Sequence, residues 1–170
     1  SLLRHNLCTS NGDDFTNGSS FHRVLWDDAE KGNSTTKLVK DTEIKRVIMC
    51  SGKVYYDLLE ERDARELNDV YLLRFEQFYP FPAMSAVKEL ERFKNAEMVW
   101  CQEEPKNQGA WSFMEPNIEW VLNRMKAKFK RPIFVGRPAS ASPATGLASQ
   151  HKVQQTSLVD EALNLKEIKK

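Results

Sequence analysis

Glu103 and Glu104 are adjacent carboxylates inside residues 98–111, Met-Val-Trp-Cys-Gln-Glu-Glu-Pro-Lys-Asn-Gln-Gly-Ala-Trp, and their types suit acid–base work. One of such a pair can donate a proton and the other accept one, provided burial raises the pKa of the donor. Neighbouring side chains point in different directions, however, and no His or Lys at a catalytic spacing accompanies these two. A structural or interface role is therefore favoured, one carboxylate taking backbone N–H groups of its loop and the other an arginine, with Arg137 as the candidate. Asn107 and Gln108 add two amides within the same stretch. Such a loop can bind a ligand, cap a helix or seal an interface, and the residues alone leave these open. Arg137 could itself hold a carboxylate or phosphate bidentately, or close an internal salt bridge.

Other residue types carry less. Gly52-Lys53 follows an apolar run and opens a helical pattern, where backbone N–H groups can meet a phosphate. Neither the P-loop spacing nor GxGxxG is present, so a tight strand-to-helix turn is the simpler reading. His5, His22 and His151 lie far apart in sequence and no Cys pair has ligand spacing, so no metal site is expected. Ser140, Ser142 and Thr145 sit in ASASPATG without a nucleophile elbow; small residues there suit a closely packed loop. The charge runs 60–66 and 126–131 read as solvated faces, and the lysines of the second suit a helix carboxyl end.

The elements that must position these groups alternate. Residues 47–50 are an apolar run with the character of a strand buried on both faces. Val54, Tyr55, Leu58 and Leu59 follow at helical spacing through about Leu67, and residues 70–73 form a second strand. A Phe- and Pro-rich bend, 75–82, precedes a helix with Met84, Val87 and Leu90 on one face. Residues 98–101 make a third strand that ends where the polar loop begins. Met114, Ile118, Val121, Leu122 and Met125 mark an amphipathic third helix, and 132–135 a fourth strand. Ser157 with Asp160 resembles a capping box opening a last helix through Leu158, Ala162 and Leu165. Four strand–helix alternations imply an α/β fold, three-layer, with a mainly parallel sheet and helices on both faces. Residues 1–43 differ: Asn11-Gly12, Asn17-Gly18 and the polar 32–36 stretch are turn signals around an apolar patch at Phe21, Val24, Leu25 and Trp26. They read as a connector wrapping from something that precedes it, and 44–170 as the domain proper.

With 170 residues and 41% hydrophobic content, one domain with a real core is expected. A net charge of +1 gives no polyelectrolyte signal, so no nucleic-acid or membrane partner is expected. No apolar run approaches the ~20 residues that span a bilayer, and SLLRHNLCTS lacks the apolar core of a secretory leader. Cys8, Cys50 and Cys101 are odd in number and widely spaced, which suits thiols in a reducing compartment. The start at Ser1 rather than Met suggests a processed or excised piece.

QEEPKNQGAW resembles the QEEP-x-N-x-GAW signature of 2-oxoglutarate dehydrogenase, in its thiamine-diphosphate-dependent first component. SLLRH, SSFHRVL, IKRVIMCSGKVYYDLLEERD and GRPASASPATG resemble the same family in the same order, over nearly the whole chain. The resemblance implies a homodimeric, transketolase-like enzyme of three successive α/β domains, with thiamine diphosphate and Mg²⁺ between the first two domains of opposite subunits. That enzyme decarboxylates 2-oxoglutarate in the tricarboxylic acid cycle and succinylates the lipoyl arm of a dihydrolipoyl succinyltransferase core. NAD belongs to a later component of the complex. This chain resembles the carboxyl-terminal domain and its leading connector, which follows the pyrimidine-binding domain. The family's cofactor, metal and substrate ligands lie on other segments, so no catalytic, cofactor-binding or metal residue is carried over here. Glu103, Glu104, Asn107, Gln108 and Arg137 remain structural or interface candidates, and Trp111 and the 21–26 patch candidate contact surfaces. The location implied is cytoplasmic for a bacterium and the mitochondrial matrix for a eukaryote. Actinobacterial relatives bind acetyl-CoA through a basic cluster after an LP pair. Ala83-Met84-Ser85 stand there in this chain, so acetyl-CoA regulation is not expected. Two other readings stay open, a regulatory module for a small anion and the same domain of a 2-oxoadipate dehydrogenase.

Overall fold

Four apolar runs become parallel strands because helices cover both of their faces, so neither face has to be polar. In the computed structural model, which describes residues 5–10, 12–16 and 18–164, these strands are β2 (Arg46–Cys50), β3 (Val70–Phe75), β4 (Glu97–Pro105) and β5 (Ile133–Arg137). A two-residue strand β1 (Val24–Leu25) adds to β3 antiparallel, and the sheet order is β1-β3-β2-β4-β5. Alternation along the strands divides the core in two. Val47, Met49, Tyr71, Leu73, Met98 and Trp100 face α2 (Ala83–Leu90) and α3 (Trp111–Arg124). Ile48, Cys50, Leu72, Val99, Cys101 and Val135 face α1 (Val54–Ala64) and α4 (Ala148–Leu163). The expected three-layer, mainly parallel architecture is the one present.

Several local expectations need correction. β4 does not stop at Cys101 but runs through Gln102, Glu103 and Glu104 to Pro105, because β5 continues to pair with it across a register shift up to Arg137. The last helix begins at Ala148, so Ser157 lies inside α4 and caps nothing. Residues 148–153 are all exposed; only the second half of α4 packs, which is why its start carries no apolar period. Met84 is in the first turn of α2 and 65% exposed, while Ala86, Val87 and Leu90 make the buried face. Trp111 is not a free contact surface: it is buried, with its ring 5.1 Å from that of Phe134. All five apolar positions expected for α3 are buried. Asn11, Asn17 and Leu165 lie outside the described residues.

The stretch before β2 is loop-rich yet firmly attached. β1 covers only two residues of the β3 edge, and beyond it the N–H of Leu72 would have no strand partner. The Asp27 carboxylate accepts that N–H at 2.7 Å and is paired with the Arg62 guanidinium, both side chains being fully buried. Arg62 also reaches the Val70 carbonyl. A buried ion pair thus substitutes for the missing strand. At the start of β2 Arg46 donates to the carbonyls of Ala162 (2.9 Å) and Asn164 (2.6 Å), which helps satisfy the carboxyl end of α4, and to Glu97. Cys50 and Cys101 are buried free thiols and Cys8 is exposed; burial pushes the Cys50 thiol up to about 12.

The 34–36 loop hangs on Asp63. Ser34 Oγ donates at 2.7 Å, Thr36 Oγ1 at 2.7 Å and Thr35 N at 3.1 Å. Burial would raise the Asp63 pKa, but these hydrogen bonds and Arg62 together hold it below the usual carboxylate value. A carboxyl depressed on folding stabilises fully above its unfolded pKa, about 3.9, and that contribution disappears as pH falls through the folded value. Acid titration of unfolding stability is therefore expected to fall less steeply for Asp63→Asn than for the parent chain in this acidic range. Identical slopes would remove Asp63 from the account.

Candidate functional site at the carboxyl edge of the sheet

β2 leads outward to β3, whereas β4, its other neighbour, leads the opposite way to β5. Connections that diverge from two adjacent parallel strands leave a crevice beyond their carboxyl ends, the usual ligand position in open α/β sheets. A cavity of about 730 Å³ opens there. Ser51, Gly52 and Lys53 form one side; Gly52 takes φ +71°, which lets the chain turn from β2 directly into α1. Gln102, Glu103, Glu104, Gly109 and Ala110 supply the other, and Phe78, Tyr79, Trp100 and Phe113 provide aromatic walls.

Gln102 organises the β4 side. It is 4% exposed, accepts the Trp100 indole N–H at 3.0 Å, and donates to the carbonyls of Gln108 (2.8 Å), Pro105 (3.2 Å) and Glu104 (3.3 Å). One amide thus closes the 105–109 turn onto the strand. Gly109 completes it at φ +65°, where a Cβ would stand 3.0 Å from Gln102 Nε2 and 3.0 Å from Glu104 Cβ. Gln102 is not among the candidates that the sequence alone brings forward. Trp100 and Gln102 lie two apart on one face of a strand, and a buried indole N–H needs an acceptor; that spacing was the available signal.

The singled-out residues divide. Asn107 Nδ2 and Gln108 Nε2 both donate to the Ser140 carbonyl, at 2.9 and 3.0 Å, and Ser140 N donates to Asn107 Oδ1 at 3.0 Å. They clasp the loop after β5 rather than face the crevice. Arg137 makes no ion pair with Glu103, Glu104 or any other described carboxylate, and its Nε is buried without a partner. Its main-chain carbonyl instead accepts the Lys106 N–H at 2.9 Å. Glu103 and Glu104 both line the crevice. Burial raises the Glu103 pKa; Lys53 pulls it down, Asp57 and Glu104 push it up, and Arg137 lowers it. Lys53 is already engaged, 2.6 Å from Asp57. Among the described residues no three His, Cys, Asp or Glu side chains come together to hold a metal ion. No helix among them is long and apolar enough to cross a membrane.

A family profile described as 2-oxoglutarate dehydrogenase C-terminal matches residues 9–163. The chain belongs to this family. Relatives named 2-oxoglutarate dehydrogenase E1 component, from Brucella anthropi and Brucella ovis, are each 57% identical to it over 164 residues. The match covers 96% of this chain and 16% of each relative. The 2-oxoglutarate dehydrogenase C-terminal family therefore accounts for almost every residue here, and for a small part of the proteins in which it occurs.

Proposed function

We propose that this chain is the carboxyl-terminal supporting domain of a 2-oxoglutarate dehydrogenase, succinyl-transferring, and that residues 1–43 connect it to a preceding pyrimidine-binding domain. The carrying observation is the family match over residues 9–163, next to relatives of which the chain covers 16%. The complete enzyme would bind thiamine diphosphate and Mg²⁺, decarboxylate 2-oxoglutarate and succinylate the lipoyl arm of a dihydrolipoyl succinyltransferase. The described residues offer no carboxylate cluster suited to the metal, so no step of that reaction is assigned to them. Their work is to bury apolar surface against the rest of the polypeptide and its dimer partner. Phe21, 68% exposed, and Trp26, 49% exposed, lie beside β1 and supply such surface. A bacterial, cytoplasmic setting fits the Brucella relatives.

The charge of the crevice argues against a regulatory anion module. Its lysine, Lys53, is paired with Asp57, while among the described residues no cation lies within ion-pair distance of Glu103 or Glu104. Substrate choice between 2-oxoglutarate and 2-oxoadipate would be made by other domains. Removing the residues equivalent to 1–170 from the complete enzyme tests the supporting role. The truncated protein is expected to lose its dimer in sedimentation velocity and with it all turnover. A truncated dimer with unchanged turnover would refute the proposal.

A further inference from the structure

Two carboxylates and four aromatic rings converge on the crevice, and Lys53, the lysine on its other side, is taken up by its ion pair with Asp57. Neither Glu103 nor Glu104 has a basic group within 4.0 Å among the described residues, and none of the cations that stack on rings elsewhere lies over Phe78, Tyr79, Trp100 or Phe113. Exposure falls from the mouth inward: Tyr79 is 84% exposed, Phe113 38% and Trp100 1%. Such a site has depth, a negative end and π faces. It fits a cation with a flat, delocalised head, since a guanidinium stacks on aromatic faces and meets carboxylates in a planar fork. An ammonium satisfies the charge but not the stacking geometry.

We propose that the crevice receives one arginine side chain from the part of the longer polypeptide outside these 170 residues, seated between the rings with its guanidinium against the Glu103–Glu104 pair. The inference rests on the supporting-domain reading and adds what the carboxyl edge supports. Charge complementarity selects the side chain, and its source follows from the relatives, of which this chain covers only 16%. The rigid frame is already built: Gln102 holds the 105–109 turn and the Asn107–Gln108 clasp fixes the next loop. Docking would offset the desolvation cost at Glu103 with an opposite charge and cover the exposed ring of Tyr79.

The test uses the complete enzyme with the photo-cross-linking residue p-benzoylphenylalanine placed at Tyr79, followed by peptide mass spectrometry. The expected product joins position 79 to an arginine-containing segment outside the 170 residues. In the Glu103→Gln, Glu104→Gln double variant its yield should fall about tenfold or more, as loss of the charge partner requires. A product confined to the 170 residues, or a yield unchanged by the double substitution, would overturn the proposal. So would saturable competition of the product by free spermidine but not by an arginine amide, which would make the occupant a diffusible polyamine. Each of these failures leaves the truncation result standing, so the two readings are judged separately.

Discussion

Asp27→Ala will lower unfolding stability by about 3–5 kcal/mol, the cost of breaking a buried ion pair from one side. Arg62 would be left charged and fully buried with only Asp63, Ser34 and the Val70 carbonyl around it. The Leu72 N–H would lose its only acceptor on the outer edge of β3, and the Ala29 N–H its 2.9 Å bond to Asp27. Asp27→Asn keeps an acceptor for Leu72 but removes the charge, so it should recover only part of the loss. Denaturant unfolding of both variants gives the comparison. Amide exchange at Leu72 should accelerate in the alanine variant before exchange in β2 or β4, because β3 is the strand whose edge is uncovered. A loss under about 1 kcal/mol would mean that water replaces the carboxylate, which a site this buried does not admit.

Gln102→Ala is the next largest, at about 3 kcal/mol, since each buried polar group left unsatisfied costs about 1–3 kcal/mol. The substitution strands the Trp100 indole N–H and frees three carbonyls, of which those of Glu104 and Gln108 can partly turn to water. The effect should reach the crevice, because the 105–109 turn would no longer be tied to β4. Trp100 fluorescence should shift to the red as its ring gains solvent. Loss of stability without a spectral change would show that the turn is held by Gly109 and the Asn107–Gln108 clasp instead.

The apolar parts of this fold are legible because parallel central strands need apolar residues on both faces. Residues 47–50 and 98–101 and the 114–125 helix face announce themselves for that reason. Polar parts are not legible in the same way. Gln102 to Pro105 look like a loop, but their strand conformation is imposed by β5 some 30 residues later, and no local pattern encodes that pairing. The first turns of α4 are solvated and so carry no period. Asp27 and Arg62 are separated by 35 residues, and neither stands out from the charged residues around it. At the site the same division holds. The sequence of β4 and its loop locates the edge, and Glu103 and Glu104 do line the crevice. Of the aromatic walls, Trp100 belongs to β4 itself but Phe78, Tyr79 and Phe113 come from two other segments, and Arg137, an apparent partner for these glutamates, makes no described ion pair with either.

The supporting role is tested most directly by calorimetric titration of thiamine diphosphate with Mg²⁺ into the 170-residue chain, checked as folded by circular dichroism, and into the complete enzyme. The account predicts saturable binding to the complete enzyme and no heat of binding to the 170 residues. Stoichiometric binding to the 170 residues would contradict it and would place a cofactor site within this domain.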